Sequence, residues 1–344
     1  MDSLLTKREE EILKSIIIRS DNNPLRPEFP PDKPRFPATP TKKIELPGFK
    51  QVFVKDESVN PTGTHKDRMA WEIVCQYRNF LMAKKMGLVA GPLPQFSIIS
   101  SGNAAIALAY FLKKFNLPKP KILIDDDIPR KIRNYLEKQH CEIYVTDLGK
   151  KPLTSQEILI LTNNPNGIDI TSNEGLDPNI MFYDWMSFEI INEAPDYILV
   201  PFGTGSVYAN ICNIIKEELW KVSKNDPRLK VDIKKLRNCQ IIGATVNLPN
   251  SKAYMLYSPH LPFTQFNEQW LNFSKEFGYI GKLSNVYLVT EEAIQEAFEL
   301  LSSQGINCEP SGAAGLAFLL EHKYKFPQDK KILIINTGKG KWMD

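Results

Sequence analysis

The stretch NPTGTHKDR, Asn60 to Arg68, decides how this chain is read. A short apolar run, Val52 to Val54, precedes it, and a helical pattern reaching about Met86 follows it. A strand, a tight Pro-Thr-Gly turn and a helix start are therefore laid end to end. Lys66 stands where the turn meets the helix. A lysine held there is a candidate amine nucleophile, able to form a Schiff base with an aldehyde. Most lysines are simply solvated, so the segments downstream must narrow the choice.

Two of those segments are strand–loop–helix junctions rich in small residues. Phe96 to Ile99 ends in Ser100, Ser101, Gly102 and Asn103, and a helix follows through Phe115. Hydroxyls, an amide and backbone N–H groups at a helix start suit an anion, although an ordinary helix cap looks the same. The strand Tyr197–Pro201 ends in FGTGSV, Phe202 to Val207. Two glycines let the backbone fold around a phosphate, and Thr204 and Ser206 add hydroxyls. The loop is not a dinucleotide fingerprint, because Tyr208 stands where GxGxxG needs its last glycine.

KDESVNPTGTHKDR resembles the cofactor-lysine segment of the pyridoxal-phosphate enzymes of fold type II, the tryptophan-synthase-β fold. The NPTG-x-x-KDR form is most similar to threonine synthases. Further segments match the same family in the same order, from about Thr39 to the C-terminus. They include SSGN, FGTGS, CEPSGAAGLA from Cys308 to Ala317, and INTGKGK from Ile335 to Lys341. The resemblance implies pyridoxal 5'-phosphate as cofactor, held by Lys66. It gives Asn103 to the cofactor's ring oxygen, and Gly203, Thr204, Gly205 and Ser206 to its phosphate. It gives Thr337 to its pyridine nitrogen, and Ser100, Ser101, Gly102 and Asn103 to the substrate, chiefly its carboxylate. His65 stands where threonine synthases usually carry phenylalanine; it either donates to the phosphate or packs against the helix start. Lys339 replaces the family histidine after TG, and KWMD replaces the LKD pattern, which leaves the substrate open.

The fold implied is α/β, with two three-layer α/β/α domains, mostly parallel sheets and the cofactor in the cleft between them. Alternating strands and helices along the chain argue independently for parallel sheets covered on both faces. The expected division is an N-terminal helix and proline-rich arm over 1–47, a smaller cofactor-lysine domain over 48–175 and a larger domain with the phosphate loop over 176–344. Residues 247–285, with three prolines and little periodicity, read as a substrate-side or interface loop.

Bulk properties exclude other classes. The 344 residues carry a net charge of +3, too small to argue for nucleic acid or an acidic membrane surface. No run approaches the roughly 18 apolar residues of a membrane span. Five scattered cysteines and four histidines give no metal-ligand spacing, and an odd thiol count fits a reducing cytoplasm. The expectation is a cytoplasmic enzyme acting on a small amino acid, without a metal, and a homodimer as the family implies. The reaction expected is β- or γ-elimination or replacement, threonine-synthase-like. A serine/threonine dehydratase or a cysteine-synthase-type enzyme is the alternative, and a cofactor-binding protein without turnover is the alternative from another class.

Overall fold

The structure is a computed structural model that describes residues 36–100, 102–151, 153–171, 182–220, 226–257 and 285–343. The expected N-terminal helix, most of the proline-rich arm, Ser101 and most of 247–285 lie outside these residues.

In chain order the elements are β1 (Thr41–Ile44), β2 (Gln51–Asp56), α1 (Lys66–Lys85), β3 (Phe96–Ile99), α2 (Asn103–Lys114), β4 (Lys121–Asp125) and α3 (Arg130–Leu136). Then come β5 (Glu142–Thr146), α4 (Ser155–Leu161), β6 (Ile168–Asp169), α5 (Asp184–Ile191), β7 (Tyr197–Pro201) and α6 (Ser206–Trp220). The chain continues with β8 (Gln240–Thr245), β9 (Asn285–Leu288), α7 (Glu291–Ser303), α8 (Ala314–Glu321) and β10 (Lys331–Asn336). Contacts divide the chain into two compact units. One contains Lys66–Leu148 and Leu153–Leu176; the other contains Ala38–His65 and Asp177–Asp344.

The first unit holds a parallel sheet in the order β5-β4-β3-β6. Its central strands are buried along their length, FSII in β3 and KILI in β4. A continuous apolar run is what a strand covered on both faces requires. The edge strand β5 is only half-buried. Helices α1 and α2 pack together, and Phe36 caps them through ring contacts with Trp71 and Phe111. Thr154 and Glu157 close α4 with a reciprocal capping box.

Among the described residues, the second unit's sheet runs in the order β1-β2-β10-β7-β8-β9. Strand β1 runs antiparallel to β2, and the other described pairs are parallel. Helix α8 packs on β7, β8 and β10, and its Gly315 approaches so closely that a Cβ there would lie 2.8 Å from the Leu199 carbonyl. Helix α7 starts on Thr290, whose hydroxyl accepts from the Ala293 N–H. It buries Ala293, Ile294, Ala297 and Leu301, a stripe of helical period.

The α/β class and the mostly parallel sheets match the sequence expectation. One strand does not fall where sequence order groups it. Gln51–Asp56 was expected with 48–175, yet it pairs in parallel with β10, from Lys331↔Gln51 to Asn336↔Asp56, in the larger unit. Its partner lies about 280 residues on, and pairing over that separation leaves no local signal. Strand β1 was not foreseen because TKKI places two lysines in four residues.

Lys55 is buried among apolar strand neighbours, 2% exposed, and donates to Glu189 at 2.7 Å and to the Thr39 carbonyl at 2.6 Å. Removing one partner of such a pair leaves an uncompensated buried charge. Lys55→Met is expected to cost ~3–5 kcal/mol in urea denaturation. Adding Glu189→Leu should recover part of that loss, and no recovery would contradict the pairing.

Candidate active site

Strand β2 delivers the chain to a 3-10 turn, Glu57–Val59, whose cap is the Asp56 carboxylate accepting from the Ser58 N–H. The Asn60 amide donates to Glu57 at 2.8 Å and to the Thr64 carbonyl at 3.1 Å. Gly63 N–H returns to the Asn60 carbonyl, and Gly63 takes φ +91°, which favours glycine. Lys66 then opens α1, half-buried, followed by the buried Asp67 and Arg68. His65 is the last residue of the larger unit's segment and Lys66 the first of the other's.

The turn is tied to the end of β10. Lys339 N–H donates to the Gly63 carbonyl at 2.9 Å, and Lys341 N–H to the Thr62 carbonyl at 3.1 Å. Thr64 forms an antiparallel bridge with Gly338, and His65 N–H donates to the Thr337 carbonyl at 3.1 Å. The backbones are pressed together. A Cβ on Gly63 would lie 2.2 Å from the Lys339 carbonyl oxygen, and one on Gly338 2.1 Å from that of Gly63. Only two glycines allow this approach.

Behind the tie sits a buried polar cluster that the sequence reading missed. Asn336 donates to Asp56 at 3.0 Å and to the Asn307 carbonyl at 2.9 Å, and accepts from Gly338 N–H at 2.9 Å. Its signal in the sequence is a polar residue closing the apolar run KILII. Glu309 N–H donates to the Gly338 carbonyl at 3.1 Å. Gly312 leaves no room for a side chain: its Cβ would lie 2.7 Å from the Asn336 amide oxygen and 3.4 Å from the Thr337 hydroxyl. The structure therefore brings three of the sequence segments together in one unit: the lysine turn, CEPSG and NTGKG.

The His65 ring meets the Tyr183 ring at 5.5 Å. Next to Tyr183, Asp184 accepts from Asn210 at 2.7 Å, and Ser187 donates to the same Asn210. Asn210 belongs to α6, whose N-terminus is the Gly203–Ser206 loop. Gly205 has φ +81°, and the Thr204 and Ser206 hydroxyls lie 3.0 Å apart. The first turn of this 15-residue helix has no acidic residue. Its leading N–H groups lack intrahelical acceptors, so the donor set suits a phosphate. Gly203 backs onto the Tyr254–Leu256 turn, so the described start of the 247–285 stretch supports this loop.

In the other unit, Ser100 closes β3 and its hydroxyl accepts from Gly102 N–H at 3.4 Å and Ala105 N–H at 3.3 Å. These weak bonds use lone pairs, so the hydroxyl proton can go to an anion. Asn103 is the first residue of α2.

An amine at a helix start, a neutral hydroxyl after a strand end and a glycine-rich loop without acidic residues are each of a kind that suits an aldehyde-and-phosphate cofactor. A family model described as pyridoxal-phosphate dependent enzyme matches residues 35–338. The chain belongs to this family. Its cofactor is pyridoxal phosphate.

This pyridoxal-phosphate enzyme is 23% identical over 309 residues to the threonine synthase of Synechocystis, covering 84% of this chain and 72% of that protein. It is 27% identical over 177 residues to cysteine synthase B of Campylobacter jejuni, covering 50% of this chain. The match spans little more than half of that protein, 56%. Among solved structures, a pyridoxal 5'-phosphate-dependent aspartate racemase superposes with a TM-score of 0.62 at 17% identity, over 98% of this chain and 96% of the racemase. That likeness is one of fold. No helix among the described residues is long and apolar enough to cross a membrane.

Cys308 lies just before Glu309, and burial, with the Glu309 charge adding to it, pushes its thiol up to about 12. A thiol raised in the fold favours the protonated form. The stability it contributes is full below the ordinary value of 9.0 and is lost as pH rises toward the folded value. The urea midpoint should fall as pH rises above 9.0, and less steeply in Cys308→Ala. Equal slopes would contradict the burial argument.

Substituting either glycine of the tie tests the close approach. Gly63→Ala and Gly338→Ala each add a backbone clash to a positive φ, and should cost ~2–4 kcal/mol. Both should lower cofactor uptake, read by absorbance. An unchanged melting temperature in either variant would contradict the geometry.

Proposed function

We propose that the protein catalyses β- or γ-elimination or replacement on an amino acid, in the manner of a threonine synthase. The observation that carries this reading is the neutral hydroxyl of Thr337 on the strand end that is bound to the lysine turn. When bound, pyridoxal phosphate supplies a conjugated ring that takes up the electron pair of a broken Cα–H bond. Lys66 would hold the cofactor through its Nζ, and its amine would be the base for the substrate's α-proton. Gly203, Thr204, Gly205 and Ser206 bind the phosphate. Asn103 would donate to the ring oxygen, and Ser100, Ser101 and Gly102 would receive the substrate carboxylate. The Thr337 hydroxyl would be the partner of the pyridine nitrogen. A hydroxyl has no charge with which to hold a proton on that nitrogen, unlike a carboxylate. Prompt loss of a β- or γ-leaving group is then favoured over transamination.

The threonine-synthase-like reading is supported by the NPTG-x-x-KDR and EPSGAA residues and by the long, if distant, match to the Synechocystis protein. The shorter match to cysteine synthase B favours a second reading, a β-replacement. Assembly as a homodimer belongs to the same proposal.

Two measurements test it. Protein incubated with pyridoxal phosphate and then reduced with borohydride should gain mass on the peptide containing Lys66, and Lys66→Ala should not. Added mass elsewhere in the wild type would overturn the assignment of the lysine. A panel of hydroxy-, phospho- and thio-amino acids should then yield phosphate, ammonia or a 2-oxo acid. Bound cofactor without any turnover would point instead to a binding protein.

A further inference from the structure

We propose that His65 is a positioning residue. Its Nδ1 carries the ring proton and donates it to the Thr337 carbonyl, which fixes the Thr337 hydroxyl in place for the cofactor's ring nitrogen. The inference rests on the reading of Thr337 given above, and it assigns His65 a task other than the phosphate.

Two nitrogens of His65 converge on one oxygen. The backbone N–H lies 3.1 Å from the Thr337 carbonyl oxygen, and Nδ1 lies 3.3 Å from the same atom. A carbonyl can only accept, so both nitrogens donate. In a neutral imidazole that choice fixes the tautomer, with the proton on Nδ1 and a lone pair on Nε2. A ring so protonated has no second N–H for a phosphate. Donation to phosphate requires the imidazolium, whereas the contact with Thr337 does not.

The surroundings hold the ring in this orientation. The Tyr183 ring lies 5.5 Å away, tilted by 35°, and Tyr183 is fully buried. Flipping the imidazole would set a carbon against the carbonyl and lose the bond. Thr337 needs the tie, because the ladder of β10 ends at Asn336 and Gly338 follows with φ +98°. The neighbouring groups are fixed by other partners: Gly338 N–H by Asn336 at 2.9 Å, and the Gly338 carbonyl by Glu309 N–H at 3.1 Å. The Thr337 carbonyl is the point where the residue before Lys66 holds the strand end.

The tautomer can be read without cofactor. In apoprotein labelled with 15N-histidine at alkaline pH, the resonances lost in His65→Asn should show a protonated Nδ1 and an unprotonated Nε2. Two variants separate the roles, because an asparagine amide nitrogen occupies the place of Nδ1 and a glutamine amide nitrogen that of Nε2. His65→Asn should keep cofactor affinity within about twofold, and His65→Gln should lose about five- to tenfold, the loss of one hydrogen bond. In a double-mutant cycle, His65→Phe should weaken cofactor binding in the wild type but add little in Thr337→Ala. A protonated Nε2, retention of affinity by His65→Gln alone, or additive losses in the cycle would overturn the proposal. If the wild type takes up no cofactor on Lys66, the functional reading fails, and the apoprotein tautomer still decides the role of His65.

Discussion

The structure depends on a contact between two backbones. Gly63 and Gly338 approach until neither can carry a side chain, and amide-to-carbonyl bonds run between the two segments from Thr62 to His65 and from Thr337 to Lys341. This contact converts a sheet into a mounting for a lysine. Strand β10 is central and buried, and it pairs with β2 on one side and β7 on the other. The turn that precedes Lys66 is therefore fixed at both ends: to its own strand through β2, and to the neighbouring strand's end through the glycine contact. A side chain placed by buried strands is held more closely than one on a surface loop.

The polar residues around the contact are buried because they replace hydrogen bonds that the sheet has stopped supplying. Asn336 stands where the β10 ladder ends, and its amide takes over the pairing of Asp56, Asn307 and Gly338. Asn60 does the same for the turn. Each such group left unpaired would cost about 1–3 kcal/mol. The cluster thus works as a lock that closes only when both segments are in register. Nearby, Lys339 lines a shallow surface cleft with Asn307, Cys308 and Glu309. Its backbone N–H serves the lysine turn.

The fold was legible in the sequence where burial is two-sided. FSII, KILI, YILVP and KILIIN are each dominated by buried apolar residues, and each is a central strand. It was not legible where burial is one-sided or pairing is distant. TKKI hides its strand behind two lysines, and β2 sits beside Lys66 in sequence but joins a sheet whose other member arrives at the C-terminus. The candidate site divides the same way. Small residues at helix starts repeat as SSGN, GTGS and PSGA and can be read directly. The asparagines and carboxylates behind them, Asn60, Asn336, Asp56 and Glu57, look like ordinary surface residues until the structure buries them. Resemblance supplied the chemistry of the cofactor; the physical reading supplied the reason that the glycines cannot change.

The central claim is that the turn before Lys66 shares the stability of the sheet. Native-state hydrogen exchange measures this directly at the amides of His65, Lys339 and Lys341, whose N–H groups cross between the segments. The account predicts protection approaching that of Ile332 to Ile335 in β10, so that these amides exchange only with large-scale unfolding. Exchange at the rates of an unconstrained loop, while β10 stays protected, would contradict it.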